Sequence, residues 1–210
     1  MRDIDKQHFG LWDLAVLSML RERPMHPYEM QRLLKDRHKD DVLVLKRGSL
    51  YHAINRLLRW ELIKVVETSR AGRRPERTTY RITTVGEQEQ VRWLQKMIAV
   101  PKRENSEFMA SVSFLVYLTP KDALVQLGTR AQHLEQQIAR WESTLKPLTK
   151  WLPRIHLVEL EYLVAMQRAE FSWVQNIVAD LKSGDFTWDL KSILKAPPKA
   201  PTAKKSEAKI

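Results

Sequence analysis

Between residues 48 and 83 the hydrophobic period changes from that of a helix to that of strands, and the change comes with a run of cations. Leu50, Ala53, Ile54, Leu57 and Leu58 recur at i, i+3, i+4, i+7 and i+8, one apolar stripe on a helix. Tyr51, His52, Asn55, Arg56 and Arg59 fall on its other sides. Two short β-prone stretches follow, 62–68 with Ile63, Val65 and Val66, and 78–83 with Thr79, Tyr80 and Ile82. The link between them holds Arg70, Arg73, Arg74 and Arg77, and Gly72 supplies the positive φ that a tight hairpin needs. A basic helix followed at once by a hairpin with a basic tip is a reader helix and its wing.

Charge supports that reading by where it sits. Residues 42–83 hold ten Lys and Arg against three Glu, an excess of +7 out of +11 for the whole chain. A basic surface of this kind meets nucleic acid or an anionic membrane surface. Ordinary solubilising surface charge is the plainer explanation, and it is the placement on one helix and one hairpin that favours the first.

Two helices precede the reader. Residues 11–21 place Leu11, Leu14, Ala15, Leu17, Ser18 and Met19 at helical spacing, and Arg23-Pro24 stops them. His26 is a plausible N-cap and Pro27 suits a first helical position, so a second helix carries Tyr28, Met30, Leu33 and Leu34. Gly48 or Ser49 is expected at the cap of the reader helix. After the wing, Thr84 and Glu87 form a capping box for a helix with Val85, Val91, Leu94 and Met97 or Ile98, ending near Pro101.

The second half reads as helical. Ser106 caps a helix to Leu118 that is apolar on several sides and therefore expected to be mostly buried. Thr119-Pro120-Lys121-Asp122 is a strong helix start. Leu124, Leu127, Ala131, Leu134, Ile138, Trp141 and Leu145 then step by three and four, a coiled-coil-like seam over about three heptads. The seam is assigned to dimerisation, and pairing within one chain is the other arrangement the pattern allows. Residues 154–182 form a further long helix, stopped by Gly184. The fold class expected is mostly α with a small β-wing. Three segments result: a winged helix-turn-helix DNA-binding domain over 1–100, a helical dimerisation domain over 103–184, and a basic, disordered tail over 185–210.

Several pieces together resemble one family. They are Leu14-Ala15-Val16-Leu17-Ser18-Met19-Leu20, Pro24-Met25-His26-Pro27-Tyr28-Glu29-Met30, Gly48-Ser49-Leu50-Tyr51-His52-Ala53-Ile54, Leu62-Ile63, and the arginine wing ending in Tyr80-Arg81-Ile82-Thr83. In order and spacing over residues 11–98 they resemble the PadR family of transcriptional regulators. The helical remainder is similar to the virulence-activator-like C-terminal domain of the longer members. Where the family usually has glycine this chain has Pro27, which a first helical position accommodates. The resemblance implies a homodimer on a near-palindromic operator in double-stranded DNA. It implies a repressor, sometimes an activator, and release by a small, frequently aromatic, effector.

The roles expected of single residues follow from groove chemistry. His52 and Asn55 are the candidates for base edges, since Asn can hold adenine with two hydrogen bonds. Ser49, Tyr51 and Arg56 are candidates for phosphates, with amides of the helix N-terminus beside Ser49. Arg73 and Arg74 at the wing tip are expected to enter a minor groove or clamp its phosphates. Lys46, Lys64, Arg70 and Arg77 complete the basic surface. The plain alternatives are packing for Tyr51, a solvated amide for Asn55 and ordinary surface charge for the arginines. Trp60 and Leu62 are read as core. Seven tryptophans, among them Trp12, Trp93, Trp141, Trp151 and Trp173, offer rings on which an aromatic effector could stack. Core and interface packing is the commoner use of such residues, and none is assigned to an effector.

Other classes find little support. The histidines form no His-x-x-x-His pair, and His156 with Glu159 is a lone helical pair, more often a surface contact than a metal site. Neither a glycine-rich phosphate loop nor a nucleophile elbow is present, so no catalytic residue, metal or cofactor is expected. Without cysteine there is no disulfide, and residues 1–10 lack the apolar core of a signal peptide. No membrane insertion is expected, and a soluble, cytoplasmic protein associated with the nucleoid when bound is the reading. The alternative function is a basic nucleoid- or membrane-surface-associated helical protein that binds polyanions without sequence preference. The lysines of the tail suit it, while a reader helix with a wing is more than charge attraction requires.

Overall fold

The computed structural model describes residues 9–37, 39, 47–69, 77–102 and 106–195. The chain divides into two compact units, Met1–Arg103 and Glu104–Ile210.

In the first unit α1 (Leu11–Glu22) is apolar nearly all round and buries Trp12, Ala15, Val16, Leu17, Met19 and Leu20. Its N-terminus is closed by Asp13, whose Oδ2 accepts from the Gly10 amide at 2.6 Å. Then α2 (Pro27–Asp36) begins as expected: His26 Nδ1 accepts from the Tyr28 amide at 3.1 Å, with proline at the first position. The far ends of the two helices are tied by Arg37, which donates to Glu22 Oε2 at 2.8 Å and holds the Glu22 carboxyl below its usual range, with burial opposing.

The reader helix, α3 (Arg47–Arg59), buries Leu50, Ala53, Ile54 and Leu57 against α1. At about 1.5–3 kcal/mol per large apolar side chain, this stripe is what holds the helix in place. Ser49 is not its cap: the helix already includes Arg47, and Ser49 lies half-buried in the first turn. The helix ends in a Schellman turn, Glu61 N to Leu58 O at 2.9 Å and Leu62 N to Leu57 O at 3.0 Å, with Glu61 at φ 61°.

The wing is an antiparallel pair, β1 (Ile63–Ser69) and β2 (Arg77–Ile82). Ile63 pairs with Ile82, Lys64 with Arg81 and Val65 with Tyr80; a bulge between Val65 and Glu67 then resets the register to Glu67 with Thr79. Met25 adds one antiparallel bridge, exchanging two 3.0 Å hydrogen bonds with Tyr80, so the turn before α2 is fastened to the wing.

Thr83 knots the base of the wing. Its Oγ1 donates toward the carbonyls of Glu61 at 2.9 Å and Leu62 at 3.1 Å, and accepts from the Gly86 amide at 3.0 Å. It therefore caps α4 (Thr84–Ala99), one residue earlier than the box expected from Thr84 and Glu87. Gly86 is required by close approach, since a Cβ there would lie 2.1 Å from the Leu62 carbonyl oxygen. Gln90, buried, donates to Ser18 Oγ at 2.8 Å and fastens α4 to α1. Val85, Val91 and Ile98, expected as the apolar face of this helix, are exposed within the unit.

The second unit is a pair of long antiparallel-patterned helices with smaller ones beside them. Ser106 caps α5 (Glu107–Ser113), and a 3-10 turn occupies Leu115–Tyr117. This segment is shorter than the helix expected to run to Leu118, and Met109, Phe114, Tyr117 and Leu118 are exposed rather than buried. Thr119 Oγ1 accepts from the Asp122 amide at 3.1 Å and starts α6 (Pro120–Leu148). After a 3-10 turn at Arg154–His156, α7 (Val158–Ser183) ends on Gly184 at φ 85°.

The seam of α6 has its partner inside the same chain. Leu127, Ala131 and Leu134 pack with Phe171, Val174, Ile177, Val178 and Leu181 of α7. Arg130 Nε donates to Glu170 at 2.6 Å with its guanidinium 3.6 Å from the Phe108 ring centre, and Arg168 Nε donates to Glu142 at 3.0 Å. Of the two arrangements the heptad pattern allows, the intrachain one fills this stretch, because α7 carries its own apolar face at matching spacing. Ile138 is buried, and Leu124, Trp141 and Leu145 are half-buried.

The boundary expected at residue 185 also moves. Trp188 Nε1 donates to Leu118 O at 2.9 Å, and a short α8 spans Leu190–Lys195, so the segment to Lys195 belongs to the second unit. The indole supplies the anchor for a segment that was read together with the Lys- and Pro-rich residues after it. Residues 196–210 lie outside those described.

Candidate nucleic-acid interface

With its apolar stripe turned inward, α3 leaves one continuous polar stripe outside. Gly48, Tyr51, His52, Asn55 and Arg59 are all exposed, each three or four positions from another member of the set. From Gly48 to Arg59 the stripe spans 11 residue steps, or about 16 Å at 1.5 Å per residue, which suits a helix laid in a major groove. His52 and Asn55, the residues read for base edges, sit in its middle. Tyr51 is 56% exposed, which sets aside the packing role considered for it. Arg59 belongs to the same stripe and was not among the residues read as binding; its i+4 relation to Asn55 was the available signal.

Next to the stripe stands the wing. Burial pushes the Tyr80 phenol up, the Thr78 hydrogen bond opposes, and the charge of the Tyr51 phenolate raises it further. Lys64 and Arg81 stand opposite one another and are both exposed. Arg81 was counted in the charge but not among the binding residues, since its pairing with Lys64 depends on strand register. Tyr28, 69% exposed at the second position of α2, is a further polar contact candidate that the sequence reading left in the core-forming set.

Arg56 is the member of the expected set that the structure removes from the exposed face. Its Nη2 donates to Asp13 Oδ2 at 2.6 Å and its Nε to Oδ1 at 3.1 Å, and its guanidinium lies 5.7 Å from the Trp60 ring centre. Asp13 is fully buried. A buried carboxylate requires its counter-charge, so the guanidinium turns inward rather than to a phosphate. Trp60 in turn meets Phe9 edge-on at 5.1 Å, and Phe9 stacks on Trp93 at 5.0 Å. Those rings, like buried Trp12, are packed within the first unit.

Arg77 is the first residue of β2, paired with Ser69. Lys46, Arg70, Arg73 and Arg74 lie outside the described residues. Among the described residues no group of three or more His, Asp and Glu is arranged to hold a metal ion, and no helix is long and apolar enough to cross a membrane.

Three helices, the third exposed along one polar stripe and followed by a two-stranded hairpin, define a winged helix-turn-helix domain. Residues 16–92 match the family model described as the transcriptional regulator PadR-like family. Over that stretch, a little over a third of the chain, it is similar to the PadR-like family of transcriptional regulators. Its fold is similar to that of Bacillus subtilis PadR in complex with operator DNA, at 20% identity and a TM-score of 0.67, covering 82% of this chain and 99% of that one. The same protein in complex with p-coumaric acid aligns at 18% identity and a TM-score of 0.67, with coverage of 82% and 99%. The PadR-like regulator BC1756 from Bacillus cereus aligns at 16% identity and a TM-score of 0.56, again with coverage of 82% and 99%. At these identities the likeness is one of fold. No sequence match is found among curated proteins.

Proposed function

We propose that this chain is a sequence-specific DNA-binding transcriptional regulator, a repressor that acts as a homodimer on a near-palindromic operator. The observation that carries the reading is the exposed stripe of α3, with Tyr51, His52, Asn55 and Arg59 outside and Leu50, Ala53, Ile54 and Leu57 inside. His52 and Asn55 read base edges, Ser49, Tyr51, Arg59 and Lys64 hold phosphates, and Arg70, Arg73, Arg74 and Arg77 extend the contact along the wing.

One winged module buries too little surface for tight binding, and a two-fold dimer sets two reader helices about 34–36 Å apart on successive major grooves. The α6 seam is taken up by α7, so the dimer surface is assigned instead to the side of α7 that α6 leaves open. There Val158, Tyr162, Met166 and Trp173 are 39–67% exposed, at steps of four, four and seven, with exposed Ile155 in the turn just before the helix. Exposed apolar side chains on one side of a helix are what a second copy of the same helix can cover. Release by a small aromatic effector is part of the proposal, supported by the tryptophan content and by the likeness to a regulator crystallised with p-coumaric acid.

The test is binding to a labelled fragment from upstream of the protein's own gene, against scrambled competitor, over a salt series. A saturable complex that survives competitor and protects two half-sites supports the proposal. Equal competition by scrambled DNA, together with no enriched sequence in a random-library selection, replaces it with sequence-indifferent polyanion binding.

A further inference from the structure

The reader helix carries one arginine that faces inward, and the residues around it are arranged to keep it there. Arg56 presents both Nε and Nη2 to Asp13, at 3.1 Å and 2.6 Å, and its side chain is 29% exposed. The Asp13 carboxylate is fully buried and also accepts from the Gly10 amide at 2.6 Å. The guanidinium carbon also lies 5.7 Å from the Trp60 ring centre, and Phe9 meets Trp60 edge-on. Elsewhere the surface between α1 and α3 belongs to one apolar cluster. Apolar contact is non-directional and leaves a helix free to turn or slide by small amounts. A bidentate guanidinium–carboxylate pair is directional, and fixing register is the best-attested use of such a buried pair.

We infer that Arg56 is a positioning residue for DNA recognition: the Asp13–Arg56 pair sets the rotation of α3 about its axis and so aims His52 and Asn55 at base edges. The inference rests on the DNA-binding reading above. Arg56 directly follows Asn55 and lies one turn beyond His52, so a rotation that broke the pair would carry both reading side chains with it. Turning Arg56 out to a phosphate would strand the buried Asp13 charge.

The test uses the full chain and a duplex enriched by the wild-type chain from a random library, with a sequence-unrelated duplex as control. Three variants are compared: Asp13→Asn, Arg56→Lys, and the paired Asp13→Leu with Arg56→Met. The paired change replaces a buried ion pair by apolar groups, which commonly preserves stability, and thermal unfolding of each variant verifies this. In all three, affinity for the enriched duplex is expected to fall about tenfold or more, the scale of one misaligned base contact. Affinity for the control duplex and the dependence of log K on log salt are expected to stay at wild-type values. Lysine keeps the charge but not the fork, so Arg56→Lys does not rescue. The inference is overturned if Arg56→Lys binds like wild type while the paired change lowers the salt slope by about 0.9, the signature of one lost phosphate contact. Unchanged preference in a folded paired variant overturns it equally. A wild-type chain that enriches no sequence overturns the DNA-binding reading itself, and this inference with it.

Discussion

Lys64 and Arg81 stand directly opposite one another across the antiparallel wing, two exposed cations on paired strands. Like charges in this position cost the free protein about 0.2–1 kcal/mol, which an anion lying across both would recover. Lys64→Glu is therefore expected to raise the thermal midpoint slightly and to weaken DNA binding with a shallower salt dependence. A lower midpoint together with unchanged binding would remove the pair from the interface.

Gly86 packs directly against the backbone at the base of the wing. A Cβ there meets the Leu62 carbonyl oxygen at 2.1 Å and Ile82 Cγ1 at 2.9 Å. Neither a backbone carbonyl nor a buried isoleucine can easily give way. Gly86→Ala is expected to destabilise the domain by about 3 kcal/mol, the upper end for overpacking. Urea unfolding with an unchanged midpoint would contradict the geometry.

Glu61 holds the left-handed conformation that ends α3, at φ 61°. The position suits glycine, and a side chain there costs about 1–2 kcal/mol. Glu61→Gly is expected to raise the unfolding free energy by about 1 kcal/mol, measured by denaturant titration at constant m-value. Destabilisation would mean that the Glu61 side-chain interactions outweigh the backbone strain.

Two substitutions separate the two apolar faces of the second unit. Leu134→Asp places a charge in the cluster with Leu127 and Val174, so loss of helical structure is expected. Met166→Asp lies on the open side of α7, so monomers with helicity retained are expected by light scattering and circular dichroism. A folded dimer from Met166→Asp would place the dimer contact elsewhere.

Asn55 and the wing tip are expected to fail differently. Asn55→Ala should cost about 1–3 kcal/mol at one base position and leave the salt slope alone. The double change Arg73→Ala, Arg74→Ala should weaken binding to all sequences and lower the slope by about 2. Binding measured over a salt series on enriched and control duplexes decides both, and the reverse pattern would exchange the roles.

Much of this protein is written in local pattern. The apolar steps from Leu50 to Leu57, His26 with Pro27, Thr119 with Pro120 and Asp122, and Gly184 each specify an element or its end within a few residues, because caps and periodicity are short-range effects. The helix–hairpin order and the polar stripe of His52 and Asn55 follow from the same local rules. What tertiary structure alone decided is who meets whom. Arg56 and Asp13 are 43 positions apart, and nothing in the neighbourhood of either residue marks the other as its partner. The α6 seam shows an apolar face, but whether that face meets α7 or a second copy depends on how the intervening turn lets the chain return. Lys64 meets Arg81 through strand register, and Trp188 reaches the Leu118 carbonyl across 70 positions. A periodic pattern names the buried side of an element; only the packed chain names what lies against it.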